Sequence, residues 1–151
     1  MIMYTNPFIL TNKKVLITGA SSGIGRAMAI VCSGMGAMVY MTGRNVTELN
    51  ATAKLMHSDS YEQIVADLNS NQELESLISS LPVLDGIISN AGINNRMIAQ
   101  YVKEQSLDLI LNTNLRAPIL LIRNLLKAKK INAGASVVFI SSIAAYHSSI
   151  G

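Results

Sequence analysis

The chain of 151 residues has one cysteine, no tryptophan, three prolines and few charges, 14% of the total. Each scarcity removes a class of protein. A single thiol, Cys32, can form neither an intrachain disulfide nor a cysteine-rich metal site, and its place in the apolar run AMAIVC marks it as an inert core residue. His57 and His147 stand apart from each other and from any acidic cluster at metal-ligand spacing, so no metal site is expected and both are read as surface residues. The uninterrupted apolar runs, 27–32, 119–122 and 137–140, fall far short of the ~20 residues that a membrane-spanning helix needs. The N-terminal stretch MIMYTNPFILTNKK puts its bases after a broken apolar patch, the reverse of a secretory leader, and a soluble, cytoplasmic protein is expected. The net charge is +3. The one dense basic cluster, Lys127, Lys129 and Lys130, has no interleaved aromatics, and it reads as a solvated helix end rather than a nucleic-acid surface.

What is present is hydrophobic side chain, half of all residues, with a mean hydropathy of +0.35. That composition supports a packed core and excludes disorder as the main state; the length fits a single domain over 1–151. Along the chain, short apolar runs alternate with amphipathic ones. Strands are expected at 14–18 (KVLIT), 37–41 (AMVYM), 63–66, in LDGIIS ending at Ser89, and in VVFIS ending at Ser141. Helices are expected over 23–35, 46–56, 71–80 and, as one long element, 104–127. Continuously apolar strands separated by helices predict a parallel sheet covered on both faces, the doubly wound α/β class.

The first strand runs straight into Thr18-Gly19-Ala20-Ser21-Ser22-Gly23-Ile24-Gly25 and then a helix. Glycines there permit a tight turn and close approach of backbone N–H groups to an anion, and the helix N-terminus adds a favourable dipole. TGASSGIG, with its GxxxGxG spacing, resembles the cofactor loop of the short-chain dehydrogenase/reductase family. The resemblance continues in order through Asp67-Leu68, Asn90-Ala91-Gly92, Asn114 and Ser141-Ser142. It implies a Rossmann-type sheet ordered 3-2-1-4-5 and a nicotinamide dinucleotide bound across the carboxyl ends of the strands. It further implies cofactor contacts from Gly19, Ser21, Ser22, Gly23, Ile24, Gly25, Asp67, Leu68, Asn90, Ala91 and Gly92. In that scheme Asp67 meets the adenine and Asn90 supports the central sheet. Taken alone, Asp67 is an ordinary strand-end turn residue.

Rossmann domains that use NAD usually carry a carboxylate at the end of the second strand to bind the ribose 2′-OH. Here that end holds Gly43 and then Arg44, whose planar donor fork suits a 2′-phosphate, so NADP is expected over NAD. In the long helix, Leu107, Ile110, Leu111, Leu115, Ile122, Leu125 and Leu126 are expected to form one buried stripe, with Asn114 on it and therefore held in a hydrogen-bond network. Pro118 lacks an N–H and clashes with the Asn114 carbonyl, which predicts a kink. The resemblance gives Asn114 a role in holding a water of a proton relay, and gives the helix dimer contacts in many relatives; a homo-oligomer is plausible on this reading. It also assigns Ser142 to the substrate carbonyl, with a Tyr about a dozen residues later and a Lys four beyond it as the proton-transfer pair. Tyr146 lies too close to Ser142 and is read as a loop aromatic. The expectation is a C-terminally incomplete domain, inactive alone, in which the fifth strand leaves an apolar sheet edge. Three readings stand at this point: the cofactor-binding part of an NADP(H)-dependent oxidoreductase acting on a carbonyl or alcohol, a dinucleotide-binding module without chemistry, and an inactive remnant.

Overall fold

The computed structural model of the chain describes residues 6–57, 59–95 and 98–143. Tyr146 and His147 lie outside them. Strand β1 (Lys14–Thr18) leads through the glycine-rich turn into helix α1 (Gly23–Gly34), followed by β2 (Met38–Gly43), α2 (Val46–Ala53), β3 (Tyr61–Val65), α3 (Asn71–Ser80) and β4 (Leu84–Ser89). A short 3₁₀ turn (Ala99–Tyr101) precedes α4 (Glu104–Leu111), a five-residue π turn (Asn112–Arg116), α5 (Ala117–Lys127) and β5 (Ile131–Phe139). All strand pairs are parallel and the order is β3-β2-β1-β4-β5, as expected from the sequence.

Alternation along the strands divides the core into two layers. Val15, Ile17, Val39 and Met41 face one side, where Ala29 of α1 and Leu49 and Ala53 of α2 cover them. Leu16 and Tyr40 face the other, beneath Leu74, Leu77 and Ile78 of α3 and Leu121 and Leu125 of α5. The chain thus winds outward from β1 through β3 on one face, then returns on the other to place β4 against the free side of β1. That reversal leaves a crevice at the carboxyl ends of β1 and β4.

Several sequence expectations are corrected. Strand β2 runs on past Met41 through Thr42 and Gly43, which still pair with Ile64 and Val65 of β3. Strand β5 begins at Ile131, well before VVFIS. Its register against β4 jumps from Leu84↔Ile131 to Gly86↔Ser136, so 132–135, with Gly134 at φ +80°, bulge outward. Asp85 braces this bulge, accepting from Asn132 Nδ2 at 2.9 Å and from the Lys14 amide at 2.9 Å; these bonds hold its carboxyl below the usual aspartate range. Lys130 is not merely solvated, since its Nζ donates to the carbonyls of Ser79 and Leu81 at the end of α3. Cys32 is half-buried at the core margin, and burial raises its thiol pKa. His57 is exposed, as expected.

The long helix departs most from its reading. Most of the predicted stripe is not buried: Leu107, Leu111, Leu115 and Leu126 are exposed, Ile110 and Ile122 are half-buried, Leu125 alone of the stripe is buried as expected, and nothing in α4 is buried. The buried row is Ala117, Leu121 and Leu125, one residue in four. The expected kink takes the form of the π turn, closed by the Ala117 amide donating to the Asn112 carbonyl five residues back. Pro118, with no N–H to offer Asn114, explains why the ordinary i→i−4 ladder is broken here. No helix of the described residues is long and apolar enough to cross a membrane, and no group of three or more His, Cys, Asp or Glu among them could hold a metal ion.

Candidate functional site

A groove of about 380 Å³ opens at the strand ends, lined by the glycine-rich turn, the end of β2, the β3–α3 turn, the segment after β4 and Thr113. Its lining includes Gly19, Ser21, Ser22, Gly23, Ile24, Arg44, Asp67, Leu68, Asn90, Ala91 and Gly92. The residues proposed from the sequence as cofactor contacts are therefore brought together, with one exception. Gly25 lies behind the lining: a Cβ there would fall on the Gly19 carbonyl oxygen and 2.5 Å from Asn90 Nδ2. Its absence of side chain lets α1 close onto the turn. Gly19 has φ +65°, and a Cβ on it would stand 2.9 Å from the Ala91 Cα. Both glycines are required by space, and Gly19 by backbone conformation as well.

The turn is tied down from behind. Arg26, on the first turns of α1, donates from Nη2 to the Ser21 carbonyl at 2.5 Å and pairs with Glu48 Oε2 at 2.6 Å, while its Nε reaches Thr52 Oγ1 at 3.0 Å. Thr52, fully buried, donates in turn to the Ala20 carbonyl at 2.9 Å. Two successive carbonyls of the turn are thus drawn into the α1–α2 interface. The amides of Ser21, Ser22 and Gly23 have no acceptor among the described residues, and Gly23, at φ +53°, has open space where a Cβ would stand. An arrangement of free amides at a helix N-terminus is an anion cradle.

On the β4 side, buried Thr18 accepts through Oγ1 from the amides of Asn90 (3.0 Å) and Ala91 (2.9 Å), and Asn90 Nδ2 donates back to the Thr18 carbonyl at 3.1 Å. The two strands that flank the reversal are therefore stitched where they stop pairing. Thr18 was not singled out from the sequence, because a threonine at a strand end is common and only the crossing of β4 reveals its use. Asn114 is not buried as expected. It is exposed, yet its amide is held from both ends, Oδ1 accepting from the Ile93 amide and Nδ2 donating to the Ile93 carbonyl, each at 2.9 Å. The expected network exists without the expected burial, because the π turn carries Asn114 against the segment after β4 and not into the core. Ser142 is exposed beyond the end of β5 and does not line the groove.

At the other end, Asp67 and Arg44 differ in freedom. Asp67 Oδ1 accepts from the Asn69 amide at 2.9 Å, an Asx turn, so the ordinary turn role and a place on the groove coexist. Arg44 is exposed and makes no ion pair among the described residues. Two further lining residues escaped the sequence reading. Thr42, 1% exposed, has a buried Oγ1 with no partner among the described residues, and the same holds for Asn69 Oδ1, although Asn69 Nδ2 donates to Thr113 Oγ1 at 2.9 Å. Unpartnered buried polar atoms on a groove wall mark where a polar ligand atom fits.

Comparisons with known proteins agree with this geometry. A family model for short chain dehydrogenase matches residues 13–151. The 3-oxoacyl-(acyl-carrier-protein) reductase of Rickettsia felis is 35% identical over 134 residues, 89% of this chain and 55% of the relative. An L-xylulose reductase of Caenorhabditis elegans is 33% identical over 115 residues, 74% of this chain and 45% of the relative. The chain thus spans about half the length of these curated relatives. Among solved structures, the 3-ketoacyl-(acyl-carrier-protein) reductase of Brucella melitensis, complexed with NADH, superposes with a TM-score of 0.79 at 25% identity, over 90% of this chain and 59% of that one. With sheet order, groove and family match in accord, the chain belongs to the short-chain dehydrogenase/reductase family of oxidoreductases.

Proposed function

We propose that the groove binds a nicotinamide dinucleotide, NADP(H) in preference to NAD(H), in an oxidoreductase that interconverts a carbonyl and an alcohol. The observation that carries the reading is the union, in one groove, of a free-amide cradle at the α1 N-terminus with Arg44 at the end of β2. Ser21, Ser22 and Gly23 would take the pyrophosphate, and Gly19 and Gly25 let the turn approach it. Arg44, with no acidic side chain beside it at Gly43 or Asn45, would take the 2′-phosphate through its planar fork. Asp67 and Leu68 would border the adenosine, and Asn90, Ala91 and Gly92 the opposite wall. When bound, the nicotinamide supplies or accepts the hydride, and the protein supplies orientation and proton chemistry.

In this reading Ser142 would hold the substrate carbonyl and Asn114 would position a water for proton transfer. No tyrosine in the 151 residues is followed four places later by a lysine. These residues by themselves accordingly supply the cofactor half of the chemistry and no proton donor, and they are inactive alone. The same observation favours a second reading, a dinucleotide-binding module without turnover. Kinship with 3-oxoacyl-(acyl-carrier-protein) reductases makes a 3-oxoacyl thioester the first substrate to assay. Exposed Leu107, Leu111 and Leu115 fit burial in a homo-oligomer, which sedimentation tests. A cytoplasmic location is part of this reading.

The cofactor reading is tested by the melting temperature with NADPH and with NADH, since a ligand that binds only the folded state stabilises it by RT ln(1 + [L]/Kd). A larger shift with NADPH is expected. Arg44→Asp removes charge-assisted bonds of about 1.5–3 kcal/mol, so the preference for NADPH over NADH should fall about 10-fold or more. An unchanged preference would return Arg44 to a solvated helix start.

A further inference from the structure

We infer that the end of the molecule opposite the groove is a docking surface for an anionic phospholipid membrane, with Phe8 and Ile9 as its apolar wedge and exposed lysines as its headgroup contacts. The inference uses neither the groove nor the dinucleotide reading.

Because all five strands run parallel, their amino ends lie together, and so do the loops that feed them. Backbone bonds fasten those loops to one another. The Leu10 amide donates to the Met35 carbonyl at 2.8 Å, the Met38 amide to the Lys13 carbonyl at 2.9 Å, and the Leu84 amide to the Lys130 carbonyl at 2.8 Å. Six of the seven lysines fall on this end: Lys13 and Lys14 at the start of β1, Lys54 at the end of α2, and Lys127, Lys129 and Lys130 around the α5–β5 turn. Lys130 commits its ammonium to the carbonyls of Ser79 and Leu81, and the other five are exposed. The carboxylates at the same end are Asp59 and Glu62, by the start of β3, and Asp85, which already accepts from the Lys14 amide and Asn132. This end therefore carries the whole net charge of +3, since the rest of the sequence holds six cations and six carboxylates.

Bulky apolar side chains stand exposed among these lysines. Asn6 closes a turn, its Oδ1 accepting from the Phe8 amide at 3.0 Å and its carbonyl from the Ile9 amide at 3.3 Å. Leu10 packs against the core layer beneath α1 and α2, so the turn is anchored while Phe8 and Ile9 remain outside, 73% and 54% exposed. Leu55, beside Lys54, and Val83, just before β4, are exposed at the same end. A partner that suits both features is negatively charged and accepts apolar side chains. An anionic bilayer does both, its headgroups meeting the ammonium groups and its acyl boundary taking the apolar residues. Nucleic acid fits less well, because every cation here is a lysine, a point charge, and the arginines, whose forks grip phosphate in pairs, lie elsewhere in the sequence. Docked by this end, the protein keeps the groove at the carboxyl ends of the strands open to solution.

The test is flotation of the full chain with vesicles of phosphatidylcholine containing about 30% phosphatidylserine, and with pure phosphatidylcholine vesicles, at about 0.1 M salt. Binding to the anionic vesicles should be about ten-fold stronger or more. Each lysine near such a surface is worth about five-fold in partitioning, so Lys127→Gln combined with Lys129→Gln should lower it about 25-fold. Phe8→Ser, which leaves the charge unchanged, should lower it about five-fold or more, and Ile9→Ser repeats that test at the next position. All four positions are exposed, and unchanged melting temperatures show that a loss of binding is not a loss of fold. Equal binding to both kinds of vesicle, or binding to neither, overturns the proposal. Undiminished binding by Phe8→Ser and Ile9→Ser also overturns it, reducing the surface to a general polycation. Tighter retention on poly-glutamate than on the anionic vesicles gives the surface to an acidic protein instead.

Discussion

Arg26 is the side chain on which the shape of the anion cradle depends, and its replacement by methionine separates two explanations of that dependence. Methionine keeps much of the aliphatic stem and deletes the bonds to the Ser21 carbonyl, Glu48 and Thr52. The ion pair contributes little: its side chains are 27% and 48% exposed, and exposed pairs are worth about 0.2–1 kcal/mol. The charged donor on the part-buried Ser21 carbonyl contributes more, about 1.5–3 kcal/mol. Arg26→Met should therefore cost about 2–4 kcal/mol, whereas Glu48→Gln, which spares the carbonyl bond, should cost under about 1 kcal/mol. At roughly 2–4 °C per kcal/mol for a domain of this size, thermal unfolding should show a fall of about 5–15 °C for the first and a few degrees for the second. Arg26→Lys should recover little, since an ammonium cannot serve diverging acceptors as a planar fork does. If Glu48→Gln proves as costly as Arg26→Met, the ion pair and not the carbonyl anchor dominates, and the account of the cradle given above is refuted.

Three other perturbations address separate parts of the molecule. Gly25→Ala drives a methyl into the Gly19 carbonyl and should cost about 1–3 kcal/mol while abolishing the NADPH-induced melting shift; an unaltered shift would mean that α1 and the turn need not be so close. Asn114→Ala frees the segment after β4 by removing both bonds to Ile93, and amide exchange at Ile93 should rise about 10-fold or more, corresponding to a loss of about 1–2 kcal/mol locally. The lowered pKa of Asp85, due first to the Lys14 amide and then to Asn132, fixes a pH dependence. Its stabilising contribution is present in full above the ordinary aspartate range and is lost as pH falls through the lowered folded value. Asp85→Asn should therefore flatten the acid limb of the stability profile, and a profile of unchanged steepness would exclude Asp85 as its source.

The parallel α/β architecture was legible in the sequence because buried strands such as KVLIT carry no polar interruption, and β1 and α3 have the predicted bounds. The glycine turn was legible because its spacing reflects steric demands local to a few residues. What could not be read depended on neighbours distant in sequence. Thr42 and Asn69 look like ordinary strand-end and turn residues until β2, β3 and the π turn are brought together. The Arg26 fork joins residues on two helices, and no local pattern announces it. The apolar residues of α4 have the period of a buried face, but period alone does not say whether this chain supplies the cover. Asn114 was correctly expected to be hydrogen-bonded, although the reason given, burial, was wrong.

The inward-turned carbonyls of Ala20 and Ser21 bear on how the groove responds to ionic strength. A site that holds phosphate with flexible lysines loses affinity steeply as salt is added, because mobile exposed charges are screened within a Debye length of roughly 8–10 Å. Here the proposed pyrophosphate end is built from backbone dipoles fixed in direction by Arg26 and Thr52, and among the described residues the one exposed cation on the lining is Arg44 at the far end. Added salt should consequently erode the distinction between phosphorylated and unphosphorylated dinucleotides well before it erodes binding of the dinucleotide itself.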